Sequence, residues 1–110
     1  MPTRDGLLRL RDDAGAELAS LENDLARLIE ATRSSNADDE HDPEGSTIAF
    51  ERAQLSAVLS AARQRVADLS DALRRLDAGT YGLCEACGAV IPDERLEARP
   101  VARTCVSCVS

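Results

Sequence analysis

Between Asp5 and about Arg33, the positions Leu7, Arg11, Ala14, Leu18, Leu21, Leu25, Leu28 and Thr32 recur at alternating spacings of four and three. Six of these eight positions are apolar. Such a heptad seam predicts a helix that packs one face against a partner helix. Gly15 interrupts it, and a helix-interior Gly costs about 1 kcal/mol relative to Ala. The first two turns are therefore expected to fray.

The pattern breaks from Ser34 to Gly45, a stretch of Ser, Asn, Asp, Pro and Gly that favours caps and turns over helix interiors. A second helix is predicted from Pro43 with Asp42 as N-cap, or from Thr47 with Ser46 as N-cap. Its seam is Ile48, Arg52, Leu55, Leu59, Ala62, Val66, Leu69, Leu73 and Leu76. Gly79 is the natural residue to stop it, with Arg74 and Arg75 well placed in its last turns. Two seams of similar length, joined by a short polar loop, fold back antiparallel. Intermolecular pairing is the alternative, and the Pro and Gly of the loop favour the hairpin. The expected fold class is all-α: an antiparallel two-helix coiled-coil hairpin over residues 1–78, with a tip loop at 34–46, followed by a small module over residues 79–110.

Composition agrees with thin helical architecture. Of 110 residues, 44% are apolar but only 2% aromatic, and Phe50 and Tyr81 are the whole aromatic set. Little is left to fill a thick core. The basic residues are all Arg, and 20 acids against 13 bases leave −7. That charge argues against broad electrostatic binding to nucleic acid. No apolar run reaches the ~18 residues needed to cross a bilayer, and the start shows no secretory h-region, so a cytoplasmic protein is expected. The acids are also concentrated locally. Asp38, Asp39, Glu40, Asp42 and Glu44 crowd the predicted tip, where His41 is expected to stay solvated.

The strongest chemical signal lies at the other end. Cys84, Cys87, Cys105 and Cys108 form C-x2-C-x17-C-x2-C. Two intervening residues let one tight turn aim both sulfurs of a pair at a single ion, and two such pairs complete a tetrahedral zinc site. Gly88 supplies the backbone freedom for the first turn. Disulfides would need an oxidising compartment, and a redox C-x-x-C normally opens a helix in a βαβ unit, which is absent. One structural Zn²⁺ is expected, with no coordination position open for substrate. Between the pairs, Val90, Ile91, Leu96 and Val101 are the apolar residues available for packing. A short helix is predicted from Asp93 to Arg99, stopped by Pro100. With so little apolar material, the metal is expected to organise this end. Loss of any one Cys is expected to unfold it while leaving the hairpin partly helical.

The run Gly79-Thr-Tyr-Gly-Leu-Cys-Glu-Ala-Cys-Gly, then Ile91, Arg95-Leu-Glu-Ala-Arg-Pro100 and Cys105-Val-Ser-Cys108, resembles the DksA/TraR C4-type zinc-finger family. The resemblance is close from about Leu76 to Cys108 and architectural before it. It implies a transcription regulator that binds RNA polymerase directly, its coiled coil entering the secondary channel and its tip acids acting near the catalytic centre. It implies no direct DNA recognition; no membrane partner and a monomer are also expected. The chain departs from the family in three places. DksA-type members carry Asp-x-x-Asp-x-Ala at the tip, and an ungapped count from Cys84 puts His41, Glu44 and Ser46 there. Positions that are basic in ppGpp-responsive members fall on Ala61 and Asp68, which argues against ppGpp as a ligand. No helix is expected after Cys108.

Two other function classes compete. One is a zinc-ribbon adaptor that binds another protein through the coiled coil. The other is weak nucleic-acid binding through Arg95, Arg99 and Arg103, with Tyr81 as the nearby stacking surface. An enzyme is not expected, because one His and four committed thiols leave no catalytic constellation.

Overall fold

The structure, a computed structural model, describes residues 1–34 and 43–109, and for residues 34 and 43–46 the backbone alone. Two long helices dominate, α1 (Arg4–Ser34) and α2 (Pro43–Ala78). They are followed by α3 (Asp93–Ala98) and a 3₁₀ turn at Val106–Cys108. Among the described residues there is no strand, only an isolated antiparallel bridge between Leu83 and Val90. No helix among them is long and apolar enough to cross a membrane.

α1 starts where Thr3 caps it. The Gly6 amide donates to Thr3 Oγ1 at 3.0 Å, and the Leu7 amide donates to the Thr3 carbonyl at 2.9 Å. The helix continues through Gly15 without a break. α2 takes the earlier of its two predicted starts, so Pro43–Ser46 are helical rather than loop. It stops as predicted at Gly79, whose φ of +79° is the left-handed value that Gly adopts without a Cβ penalty. The Gly79 amide donates to the Leu76 carbonyl and the Thr80 amide to the Arg75 carbonyl, the paired closure of a Schellman motif.

The chain forms two compact units. The first joins residues 1–13 to residues 65–110, and the second spans residues 14–64. Cross-helix ion pairs give the helix direction in each. In the first, Arg4 Nε lies 3.0 Å from Asp77 Oδ1. In the second, Arg63 Nη2 lies 3.6 Å from Glu22 Oε2. In each unit the early part of its α1 segment pairs with the late part of its α2 segment, so the pairing is antiparallel.

All eight seam positions of α1 are shielded to some degree, Leu7 and Ala14 most of all. On α2 the seam is shielded except at Arg52, which is exposed. Near its C-terminus the buried face of α2 widens beyond one seam. Ala72 is fully buried alongside Leu69 and Leu73, and Asp71 and Arg75 are half-buried. This second face carries the Cys-rich segment.

Gly15 has no packing reason to be Gly, since a Cβ built there meets nothing within 4 Å. Gly15→Ala is expected to raise stability by about 1 kcal/mol, through helix propensity and a less flexible unfolded chain. Urea denaturation followed by far-UV circular dichroism measures it. A neutral or destabilising result would show that the helix needs the missing Cβ.

Candidate metal centre

The two Cys pairs are each placed by a local turn. In the first, the Gly88 amide donates to the Cys84 carbonyl at 2.9 Å and the Cys84 amide to the Ala89 carbonyl at 2.8 Å. Gly88 sits at φ +78°, as its place after the pair predicted. In the second, the Cys108 amide donates to the Cys105 carbonyl at 3.0 Å within the 3₁₀ turn. The Glu85 amide, donating to the Arg103 carbonyl at 2.9 Å, ties one turn to the approach of the other.

The four sulfurs lie within 4.8 Å of one another, and Cys87 Sγ is 3.7 Å from Cys105 Sγ. A disulfide requires a separation of about 2.05 Å, and all four cysteines are free. A tetrahedral zinc with bonds of about 2.3 Å holds its sulfurs about 3.8 Å apart, which fits this spacing. The electrostatics point the same way. As free thiols, Cys84 and Cys108 depart from the ordinary thiol value in opposite directions. Hydrogen bonds from the Cys105, Cys87 and Ala86 backbone, outweighing burial, hold the Cys84 thiol down to about 6. Hydrogen bonds from Cys105, Cys87 and Cys84 push Cys108 up to about 12. Four thiolates this close need a divalent cation between them. The four thiols are placed to bind one structural zinc, with all four donors supplied by the protein.

Around the sulfurs the module has more core than its sequence suggested. Ile91 and Leu96 are fully buried, as predicted, and Val101 is half-buried. Val90 is not in the core: it is 74% exposed, on the outer side of the bridge to Leu83. Tyr81 and Ala102 take its place. Tyr81 is therefore no stacking platform, because its ring is buried and its hydroxyl donates to the Pro100 carbonyl at 2.7 Å. α3 ends at Ala98, just before Pro100, close to the predicted limits.

A polar clasp missing from the sequence reading joins this core to α2. Asp71 accepts from Arg75 Nε at 3.0 Å, lies 2.8 Å from Arg103 Nη2, and accepts from Arg74 Nη2 at 3.2 Å. Arg75 also reaches the Ala102 carbonyl at 3.5 Å and sits 5.7 Å from the centre of the Tyr81 ring. The ring face offers the buried guanidinium electrostatic compensation. Burial pushes the Asp71 carboxyl up. The Arg75 hydrogen bond, the Arg103 charge and the Arg74 hydrogen bond outweigh it and hold the carboxyl below its ordinary value. The i, i+3 and i, i+4 spacings of Asp71, Arg74 and Arg75 were visible in the sequence, but nothing there signalled the partner Arg103.

Arg95, Arg99 and Arg103 do share one cleft, of about 330 Å³, with Asp68 on its wall. Two of these three already serve the fold. Arg95 Nε donates to the Thr104 carbonyl at 2.9 Å, and Arg103 pairs with Asp71 and Glu85. At the predicted tip, Asp38, Asp39, Glu40 and Asp42 lie outside the described residues, as does the side chain of Glu44 in the first turn of α2.

With the geometry in place, comparisons with known proteins agree on its type. Residues 79–108 match the prokaryotic dksA/traR C4-type zinc finger. General stress protein 16O of Bacillus subtilis is 39% identical over 72 residues, covering 66% of this chain and 44% of that protein. The RNA polymerase-binding transcription factor DksA of Haemophilus influenzae is 39% identical over 46 residues, covering 42% of this chain and 32% of that protein. The chain thus spans less than half the length of these curated relatives. The solved structure of transcription factor DksA2 from Pseudomonas aeruginosa superposes with a TM-score of 0.79 at 26% identity, covering 94% of this chain and 74% of that one. Four thiols at zinc spacing and a matching finger agree: residues 79–108 form a C4 zinc finger of the DksA/TraR type.

Proposed function

We propose that this protein is a DksA-like transcription regulator that binds RNA polymerase directly, in the cytoplasm, as a monomer. The observation that carries the reading is the likeness to DksA2 over 94% of the chain, helices and finger together. A zinc finger alone serves many functions, whereas a matched finger on a matched helix pair narrows them. In this reading the helix pair enters the polymerase secondary channel, and Asp38, Asp39, Glu40, Asp42 and Glu44 act near the catalytic centre. A cluster of carboxylates suits a site built around basic side chains and a divalent ion. The zinc finger is structural, Cys84, Cys87, Cys105 and Cys108 being its ligands, and the protein is not an enzyme. With Ala61 and Asp68 at positions that are basic in ppGpp-responsive members, its action does not need ppGpp.

Core polymerase should retain the full chain in a pull-down, and a known secondary-channel factor should displace it. Replacing the five acids with Asn or Gln should leave retention, helicity and zinc content intact but remove the effect on transcription in vitro. Absence of retention would favour the adaptor reading. An unchanged transcriptional effect would sink the tip assignment.

A further inference from the structure

The finger residues do not form a compact unit of their own. They lie in one unit with the first turns of α1 and the last turns of α2. Within that unit Ile91, Leu96, Leu69, Leu7 and Ala72 are fully buried, and Tyr81, Ala102 and Leu73 are buried with them. Leu96 Cδ1 would stand 3.5 Å from a Cβ at Gly82, so the backbone there packs directly on α3. Polar contacts that touch no sulfur reinforce this core: Asp71 to Arg103, Arg75 to the Ala102 carbonyl, Tyr81 to the Pro100 carbonyl, Arg95 to the Thr104 carbonyl.

The sulfurs lie at the margin of this core. Cys84 is buried, but Cys87 is exposed and Cys105 and Cys108 are half-buried. Their neighbours Glu85, Ala86, Gly88, Ala89, Val106 and Ser107 are all exposed. Each Cys turn is closed by a short-range bond of its own, with the Glu85 amide to the Arg103 carbonyl as a tie between them, and a two-residue turn with exposed neighbours has little else to hold it once no ion joins its sulfurs.

We infer that zinc is a local latch: it closes the turns at 84–88 and 105–108, while α3 and residues 99–102 stay docked on α2 without it. The finger then has two states that share one core, differing in whether its Cys turns are closed. Withdrawal of metal opens this edge and leaves the helix pair intact. This differs from the expectation that metal organises the whole end, because apolar residues from α1 and α2 now supply what the finger's own sequence lacked.

Amide hydrogen exchange on the full chain, before and after zinc is stripped with a chelator, tests the inference. The Leu96, Arg99 and Ala102 amides, which donate to the Pro92, Arg95 and Arg99 carbonyls, report α3 docking. The Gly88 and Cys108 amides report the turns. Stripping should lower protection at Gly88 and Cys108 to near that of an unfolded chain, while Leu96, Arg99 and Ala102 lose less than about tenfold. Fluorescence of Tyr81, the one Tyr in a chain without Trp, should stay that of a buried ring. Collapse of both sets together, with exposure of Tyr81, would overturn the inference, as would unchanged protection at both turns. Cys87→Ser, which removes an exposed ligand without touching the core, should reproduce the stripped pattern. Global loss of protection in that variant would count equally against it.

Discussion

Leu96→Ala is expected to destabilise the finger-bearing unit by about 2–5 kcal/mol, the range for removing a buried Leu side chain from a core that relaxes incompletely. Leu96 is fully buried on a helix of six residues. A helix that short has no stability of its own in water, so its order depends on this side chain and its neighbours. Collapse into the cavity is limited on one side by the Gly82 backbone, which cannot follow without disturbing the Ile91 amide bond to the Gly82 carbonyl at 2.7 Å. Tyr81 fluorescence under urea measures the loss in the relevant unit. Val90→Ala is the control. Its side chain is 74% exposed, and its change should stay within about 0.5 kcal/mol. Equal effects at the two positions would contradict the core described here.

Asp71→Asn is expected to cost about 1.5–3 kcal/mol at neutral pH, the scale of a charge-assisted hydrogen bond network that loses its ion. Three Arg side chains converge on this carboxylate, and its own side chain is 22% exposed. The pH dependence has a definite sign. The folded-state carboxyl titrates below its ordinary value, so the stabilisation is complete above the unfolded value of about 3.9 and is lost as pH falls through the lower folded value. Wild type and variant should differ most from neutral pH down to about 5 and converge in strong acid. The difference between the two proteins isolates Asp71 from Asp77, which the Arg4 hydrogen bond also holds below its ordinary value. A difference that persists at the acid end would show that shape, not charge, makes the clasp.

The helices were legible because a heptad seam reports one helix packing on one partner. Every α1 seam position is shielded, and Gly79 ends α2 with the geometry its residue type implied. The clustering of the four Cys was legible because spacing alone constrains it. What periodicity could not report is a third partner. Ala72 and Asp71 lie off the α2 seam; Ala72 is buried and Asp71 half-buried because the finger docks there. The same docking explains the exchange of Val90 for Tyr81 and Ala102 in the core. Residue type alone made Val90 an apolar candidate. The bridge to Leu83 points it outward, while the turn after Gly79 folds Tyr81 inward against Arg75.

One feature of the architecture governs how the chain assembles. The finger-bearing unit is discontinuous, built from residues 1–13 and 65–110, and its clasp between Arg4 and Asp77 spans 73 positions. On the ribosome, residues 1–13 emerge long before the residues 65–110 with which they share a unit. Residues 14–64 can zip together as soon as their own turn is made, since nearby contacts close at lower entropic cost. The segment 1–13 must wait, solvated, until residues from Arg65 onward have been synthesised. Its sequence suits that interval: with Arg4, Asp5, Arg9, Arg11, Asp12 and Asp13 among its residues, it remains soluble while its partners are still being translated.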